Sequence, residues 1–135
     1  MNKSPLRAIE EVTPLTKVDC LLVFSRIKSE FDFPLHMHKE FELNFIENGK
    51  GAQRIVGDSI EIIDNLELTL ITGDKLEHAW QTHECKSKEI KEITIQFQNN
   101  VLNKDLLNTN SFKTIEKLLD DAKRGVTFSF KTIEK

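Results

Sequence analysis

The stretch that decides how this chain reads is Phe33-Pro34-Leu35-His36-Met37-His38-Lys39-Glu40-Phe41-Glu42-Leu43-Asn44-Phe45-Ile46-Glu47, followed by the turn residues Asn48-Gly49-Lys50-Gly51. Residues two apart on a strand point to the same face, so His36 and His38 project together. Glu42 has the same parity, and along an unbroken strand two imidazoles and a carboxylate would converge. Such a donor set suits Zn, Mn, Fe, Ni or Co, and a third imidazole would complete four ligands while leaving positions for water or substrate. His78, in Gly73-Asp74-Lys75-Leu76-Glu77-His78-Ala79-Trp80, is the candidate for that third imidazole. An H-x-H pair by itself is also spelled by two polar side chains on a solvent face. The longer spacing H-x-H-x3-E-x6-G, from His36 to Gly49, is the more informative pattern.

Outward from this stretch the first hundred residues break into short pieces with period-2 alternation or β-rich apolar runs, separated by turn residues, as in an all-β sandwich or barrel. Residues 18–25 (VDCLLVFS) are apolar on both faces and read as a buried strand. Residues 40–47 put Phe41, Leu43 and Phe45 on one side, against Glu40, Glu42, Asn44 and Ile46 on the other. The Asn-Gly turn predicts a hairpin, because Asn and Gly tolerate positive φ, with residues 52–56 returning beside residues 40–47. Further strands fit 59–63, 66–72 and 90–97, with turns at Gly57-Asp58, Asp64-Asn65 and Gly73-Asp74. Phe31, Phe33, Phe41, Phe45 and Phe97 are assigned to the core.

Beyond Asn99 the period changes to about 3.6. Phe112, Ile115, Leu118, Leu119 and Ala122 share one helical face, Ser111 is the expected N-cap, and Gly125 the expected stop after Lys123 and Arg124. Residues 101–107 predict a shorter helical turn before it. The heptapeptide SFKTIEK occurs at 111–117 and again at 129–135, the second copy ending where its helix should begin, so the chain reads as a domain whose parent continues.

Composition narrows the classes. The 135 residues carry 19 Lys+Arg and 22 Asp+Glu, a formal charge of -3, interspersed rather than striped. A domain that grips nucleic acid alone normally shows a basic excess, so direct DNA contact by this chain is not expected. Mean hydropathy is -0.37, and no run of about 18 apolar residues offers a membrane span. The charged N-terminus, with Lys3, Arg7, Glu10, Glu11 and Lys17, lacks a signal peptide's apolar segment, and the two cysteines, Cys20 and Cys85, suggest no disulfide framework. A cytoplasmic protein is the expectation.

The motif from His36 to Gly49 resembles the first motif of the cupin superfamily. The second motif is longer here, with four residues between Gly73 and His78 where cupins commonly have one. The resemblance covers residues 18–97 and implies a cupin double-stranded β-helix, a jelly-roll barrel. The fold class is therefore all-β with C-terminal helices, divided into a barrel with its N-terminal arm at 1–100 and a helical dimerisation segment at 101–135. With His-Ala-Trp after the second turn and an acidic-apolar strand ending at Phe97, the chain also looks like the sensor domain of AraC-family transcription regulators. That resemblance implies a small-molecule effector in the barrel, a homodimer, and DNA contact only through a C-terminal helix-turn-helix module not present in this sequence.

His36, His38, Glu42 and His78 are the expected ligands of a divalent transition metal (Zn, Ni, Mn or Fe), and Arg54 and Trp80 the expected effector contacts, Arg54 through a fork suited to a carboxylate. His83 falls in a polar stretch and reads as a surface residue. Cys20 reads as a buried small hydrophobe and Cys85 as an exposed thiol. The alternative function is a small metal-dependent cupin enzyme of dioxygenase, isomerase or decarboxylase type. Against it stands the want of a second catalytic group distinguished by spacing, in a chain with no Tyr.

Overall fold

The computed structural model describes residues 7–135, so the first six residues of the expected N-terminal arm lie outside the described part. Among the described residues, ten strands form two five-stranded sheets. In one, the order is β1 (Ile9–Glu10), β3 (His36–Met37), β8 (His78–Gln81), β5 (Gln53–Val56), β6 (Ser59–Ile62). In the other it is β10 (Val126–Thr127), β7 (Leu66–Ile71), β4 (Phe41–Glu47), β9 (Ile90–Phe97), β2 (Leu21–Lys28). All pairings are antiparallel except β1 with β3. The molecule is mostly β-sheet with a short C-terminal helical region.

The alternation in β4 is strict, but it runs opposite to expectation. Glu42, Asn44 and Ile46 are buried, whereas Phe41, Leu43 and Phe45 are half-buried on the other face. Its neighbour β9 repeats this: Glu92 and Gln96 are buried, and Ile93 is 37% exposed. The aromatic assignment to the core is thereby corrected. Among the described residues the apolar core is Ile46, Ala52, Val56, Ile63, Ile71, Trp80, Cys85 and Ile90, with Phe31 packed against it, while Phe33 is 44% exposed. Full burial of a large aliphatic side chain such as Ile46, Ile71 or Ile90 contributes about 1.5–3 kcal/mol.

Two further expectations are revised. Of the apolar run at 18–25, residues 21–25 open β2, which among the described residues is an edge strand paired only with β9, with Leu21 and Val23 each 53% exposed; apolar residues on both faces do not by themselves place a strand centrally. The Asn48–Gly51 turn is not a hairpin. It has the positive φ expected, at Asn48 (64°) and Gly51 (92°), but it carries the chain from one sheet to the other, so β5 pairs with β6 and β8 and not with β4. A Cβ on Gly51 would stand 2.8 Å from the Glu84 carbonyl oxygen, which ties the glycine to this crossing. The two-residue hairpin is at Gly57-Asp58, between β5 and β6.

The C-terminal region holds α1 (Lys104–Leu107), α2 (Lys113–Asp121) and α3 (Phe130–Ile133). Asn103 caps α1 through its side chain. Ser111 does not cap α2: it lies in a 3-10 turn, Asn110–Phe112, and α2 starts without a side-chain cap. The second heptapeptide behaves as the sequence suggests, Ser129 accepting from the Thr132 amide at the start of α3. Gly125 ends the segment at φ 81°. Thr72 fastens this segment to the end of β7, its amide donating to the Ala122 carbonyl at 2.9 Å and its hydroxyl to the Leu119 carbonyl at 2.6 Å. None of these helices is long and apolar enough to cross a membrane.

Candidate metal centre

His36 and His78 are register partners on β3 and β8, with ring centroids 4.2 Å apart. The long loop between Gly73 and His78 therefore does not displace His78 from the histidine pair; the Leu76 amide bonds back to the Gly73 carbonyl at 3.3 Å and takes up the extra length. His38 follows β3, and its ring centroid is 5.7 Å from that of His36 and 4.9 Å from that of His78. Glu42 reaches them from the opposite sheet. The chain passes from one sheet to the other between Met37 and Phe41, so His36 and Glu42 meet across the sandwich and not along one strand. The donor atoms of His36, His38, Glu42 and His78 all lie within 4.8 Å of one another, and all four residues are buried.

Each imidazole is oriented by its own backbone. The Nδ1–H groups donate to the carbonyls of Pro34 (2.8 Å), Glu40 (2.9 Å) and Leu76 (2.8 Å), each two residues away from its histidine. When the imidazoles are neutral, this tautomer turns each Nε2 lone pair inward, which is how a metal-binding histidine is held by its second nitrogen; a second proton on His38 Nε2 would instead donate to Glu42. Glu42 Oε1 is 3.3 Å from His38 Nε2, and Oε2 is 3.5 Å from His78 Nε2. His78 Nε2 is buried without a hydrogen-bond partner. These residues fit a divalent ion: three aligned imidazoles and a carboxylate that has no Lys or Arg nitrogen within 4.0 Å among the described residues.

The electrostatics follow from burial and proximity. Burial, then the neighbouring His78, lowers His36 to a pKa of about 4, so it is neutral at pH 7. Burial also pushes His38 down, but the Glu42 hydrogen bond and the Glu42 and Glu11 charges outweigh it, and the net shift is upward. Burial pushes Glu42 up, yet the His38 hydrogen bond and the closeness of His38 and His78 hold it well below the usual carboxylate range.

Beside the cluster lies a cavity of about 100 Å³, whose walls include His36, Glu42, Asn44, Trp80, Glu92 and Gln96. Asn44 donates through Nδ2 to Thr94 Oγ1 (2.9 Å) and Glu92 Oε2 (3.3 Å), and Gln96 donates through Nε2 to Glu42 Oε1 (3.4 Å). Those donors fix the amide orientation and leave Asn44 Oδ1 and Gln96 Oε1 without partners, as is the Trp80 indole N–H. Buried polar atoms without partners are uncommon and costly, about 1–3 kcal/mol each. The three belong to residues that line the cavity, Asn44 and Gln96 from one sheet and Trp80 from the other.

Trp80 thus stands in the cavity wall. Arg54 does not: its guanidinium spans the sandwich, Nη1 to Glu67 Oε1 and Nη2 to Glu61 Oε2 at 2.7 Å, and both terminal nitrogens are engaged by carboxylates. His83 is exposed, at φ 46°, away from the cluster. The cysteine assignments are reversed, Cys20 being exposed and Cys85 buried. Asn44, Glu92 and Gln96 were passed over in the sequence although they share the parity of Glu42 or pair with its strand; a polar alternation across two adjacent strands was the available signal.

The sequence matches no known family profile and no curated protein. Among solved structures the chain is similar to ToxT from Vibrio cholerae O395, in a crystal structure with (E)-4-(8-methylnaphthalen-1-yl)but-3-enoic acid bound, at 11% identity and a TM-score of 0.41. The match covers 85% of this chain and 52% of ToxT, so the chain spans about half the length of that protein. A likeness this distant fixes neither fold nor function.

Proposed function

We propose that this chain is a ligand-sensing and dimerisation domain of a cytoplasmic transcription regulator of AraC type, built on a cupin jelly roll. The barrel with its arm, residues 1–100, does the sensing, and residues 101–135 supply the dimer contact. The observation that carries this reading is the interior: three inward imidazoles and Glu42 beside a cavity lined by three residues that each hold an unpartnered polar atom. His36, His38, Glu42 and His78 would hold a divalent metal, which as a Lewis acid offers a coordination point for an oxygen or nitrogen of the effector. Trp80 supplies an aromatic wall and an N–H, while Asn44 and Gln96 supply acceptors, so the effector is a small molecule rich in hydroxyl, amine or amide donors.

The helical segment supports the dimer. No residue of α2 is buried, Ile115 remains 37% exposed on its apolar face, and Phe130 in α3 is 56% exposed. A second copy would cover these side chains, and DNA contact would fall to a C-terminal module outside this sequence. Ligand occupancy alters such an assembly only if the ligand binds the two arrangements with different affinity.

A non-enzymatic role is favoured by the commitments of the cavity carboxylates. Glu92 is paired with Lys28 at 2.8 Å and holds Asn44, and Glu42 belongs to the histidine cluster. The test is a panel of small polyols, amines and amides on metal-loaded protein, read by thermal stabilisation, sedimentation and turnover. Stabilisation abolished by Asn44→Leu, with a change in the monomer–dimer balance and no turnover, is the expected result. Turnover of a panel member would select the metal-dependent enzyme instead.

A further inference from the structure

Glu11 lies just beyond β1, outside the four-residue set that the sequence spacing singles out. Its amide donates to the Met37 carbonyl at 2.9 Å, and the Ile9 amide donates to the Leu35 carbonyl at 3.0 Å, which lays this segment parallel to β3. That register delivers the Glu11 carboxylate to the cluster. Its Oε2 stands 3.7 Å from His36 Nε2 and 3.8 Å from His38 Nε2, and the side chain is only 22% exposed. The same carboxylate lines the cavity beside Glu42.

This placement has an electrostatic cost. Two carboxylates, Glu11 and Glu42, are brought to one partly desolvated point, and among the described residues only imidazoles stand within 4.0 Å of either as cationic partners. Like charges at close range in a low-dielectric site repel strongly, and a proton on the neighbouring imidazoles offsets two carboxylates only in part. One divalent cation among three neutral imidazoles and two carboxylates gives a centre with no net charge. A separation of 3.7–3.8 Å between Glu11 Oε2 and two Nε2 atoms suits ligands around a shared ion better than direct hydrogen bonds.

We infer that Glu11 is a further donor to the metal centre, so that filling the centre ties the β1 segment to the barrel. The inference rests on the metal reading proposed above. It predicts that the ion is coordinated from three places at once: the N-terminal segment, the β3–β8 pair and the opposite sheet through β4. The hydrogen bonds of β1 to β3 are then reinforced by a side-chain link, although Ile9 beside them is 46% exposed and contributes little burial.

The experiment compares the full chain with Glu11→Gln, Glu11→Asp and Glu42→Gln, using Co²⁺ and Zn²⁺ as probes. Competition with a chromophoric chelator gives affinity, Co²⁺ visible absorption reports coordination number, and hydrogen exchange reads the amides of Ile9 and Glu11. Glu11→Gln should bind at least about 10–100-fold more weakly, no less than the loss of an outer-shell partner costs, while Glu11→Asp falls between it and the parent. The Co²⁺ band of Glu11→Gln should strengthen toward that of a lower-coordinate ion, and the metal-induced protection of the two amides should disappear. With chelator present, Glu11→Gln should melt at or above the temperature of the parent, because it removes one of two carboxylates that repel in the metal-free protein. Unchanged affinity, spectrum and protection in Glu11→Gln, with binding lost in Glu42→Gln, would overturn the Glu11 assignment while leaving the centre intact. No binding by the parent chain would overturn both.

Discussion

Strands β4 and β9 present two faces of opposite character. Toward the second sheet they bury Glu42, Asn44, Glu92 and Gln96 along with Ile46; away from it Phe41, Leu43, Phe45, Ile95 and Phe97 are only half-buried and Ile93 is exposed. Hydrophobic burial alone would turn these strands over, and a one-residue shift in register would do so. The present arrangement survives because the apolar core formed by Ile46, Ile63, Ile71 and Ile90 holds one part of the interior, while the other part uses polar groups for each other and for a site. The outer face is partly sheltered at one end, where Phe41 shares a groove with Leu107 of α1 and Leu119 of α2. Polar groups inside and apolar groups outside are the pattern expected of an interior organised around a ligand.

Substitutions on the two faces sharpen that contrast. The largest effect belongs to Glu42→Ala, which removes the carboxylate that bridges the sheets at the cluster; metal affinity measured by chelator competition should fall by more than about 100-fold, beyond what loss of an outer-shell partner costs. Leu43→Ala, one residue along and facing outward, should leave affinity unchanged. Its cost in denaturant unfolding should be about 1 kcal/mol, below the 2–5 kcal/mol typical of a fully buried leucine, because Leu43 is only half-buried. If Leu43→Ala were the more damaging to binding, the assignment of inner and outer faces would be wrong.

Acidity probes the same interior in metal-free protein. His36 has its pKa lowered to about 4, so between about 6.5 and 4 the unfolded chain binds more protons and stability is lost as pH falls. His38 is shifted upward, so its contribution is present below the ordinary value and is lost as pH rises above about 6.5. The two windows lie on either side of 6.5, and together they predict a stability maximum there. His36→Gln should flatten the acid limb only, as read by urea unfolding at a series of pH values.

The smallest effect is chemical. Cys20, exposed, should react with a thiol reagent within the time of mixing, and Cys85, buried in the apolar core, only as the protein unfolds. Equal reactivity of both thiols would mean the apolar part of the interior is less closed than the burial of Cys85 implies.

Much of this was legible from local patterns. The strand positions at 41–47, 53–56, 59–62, 66–71 and 90–97 follow from alternation and turn residues, and the grouping of His36, His38 and Glu42 follows from spacing, with His78 the candidate third imidazole despite its lengthened motif. Which face points inward was not, because alternation gives the period of a strand and says nothing of its phase when both faces carry apolar residues, as Ile46 and Phe45 do. Pairing was equally hidden. Asn48–Gly51 has hairpin chemistry, but whether the chain returns beside its own strand or crosses to the other sheet depends on contacts such as that of Gly51 with Glu84, far along the sequence. Glu11 was invisible for the same reason: 24 residues separate it from His36, and only the parallel register of β1 on β3 brings them together.

The central claim is that the polar interior is built for a metal ion, and one measurement addresses it most directly: elemental analysis of the purified chain together with its melting temperature with and without chelator. The account predicts one equivalent of a divalent transition metal. At a free metal concentration about 100 times Kd, chelation should remove about 2.7 kcal/mol, or about 10 °C in a chain of this size. His36→Ala combined with His38→Ala should show neither the metal nor the shift. A parent chain that stays metal-free when offered Zn²⁺, Ni²⁺, Mn²⁺ and Fe²⁺, and melts at the same temperature throughout, would contradict it.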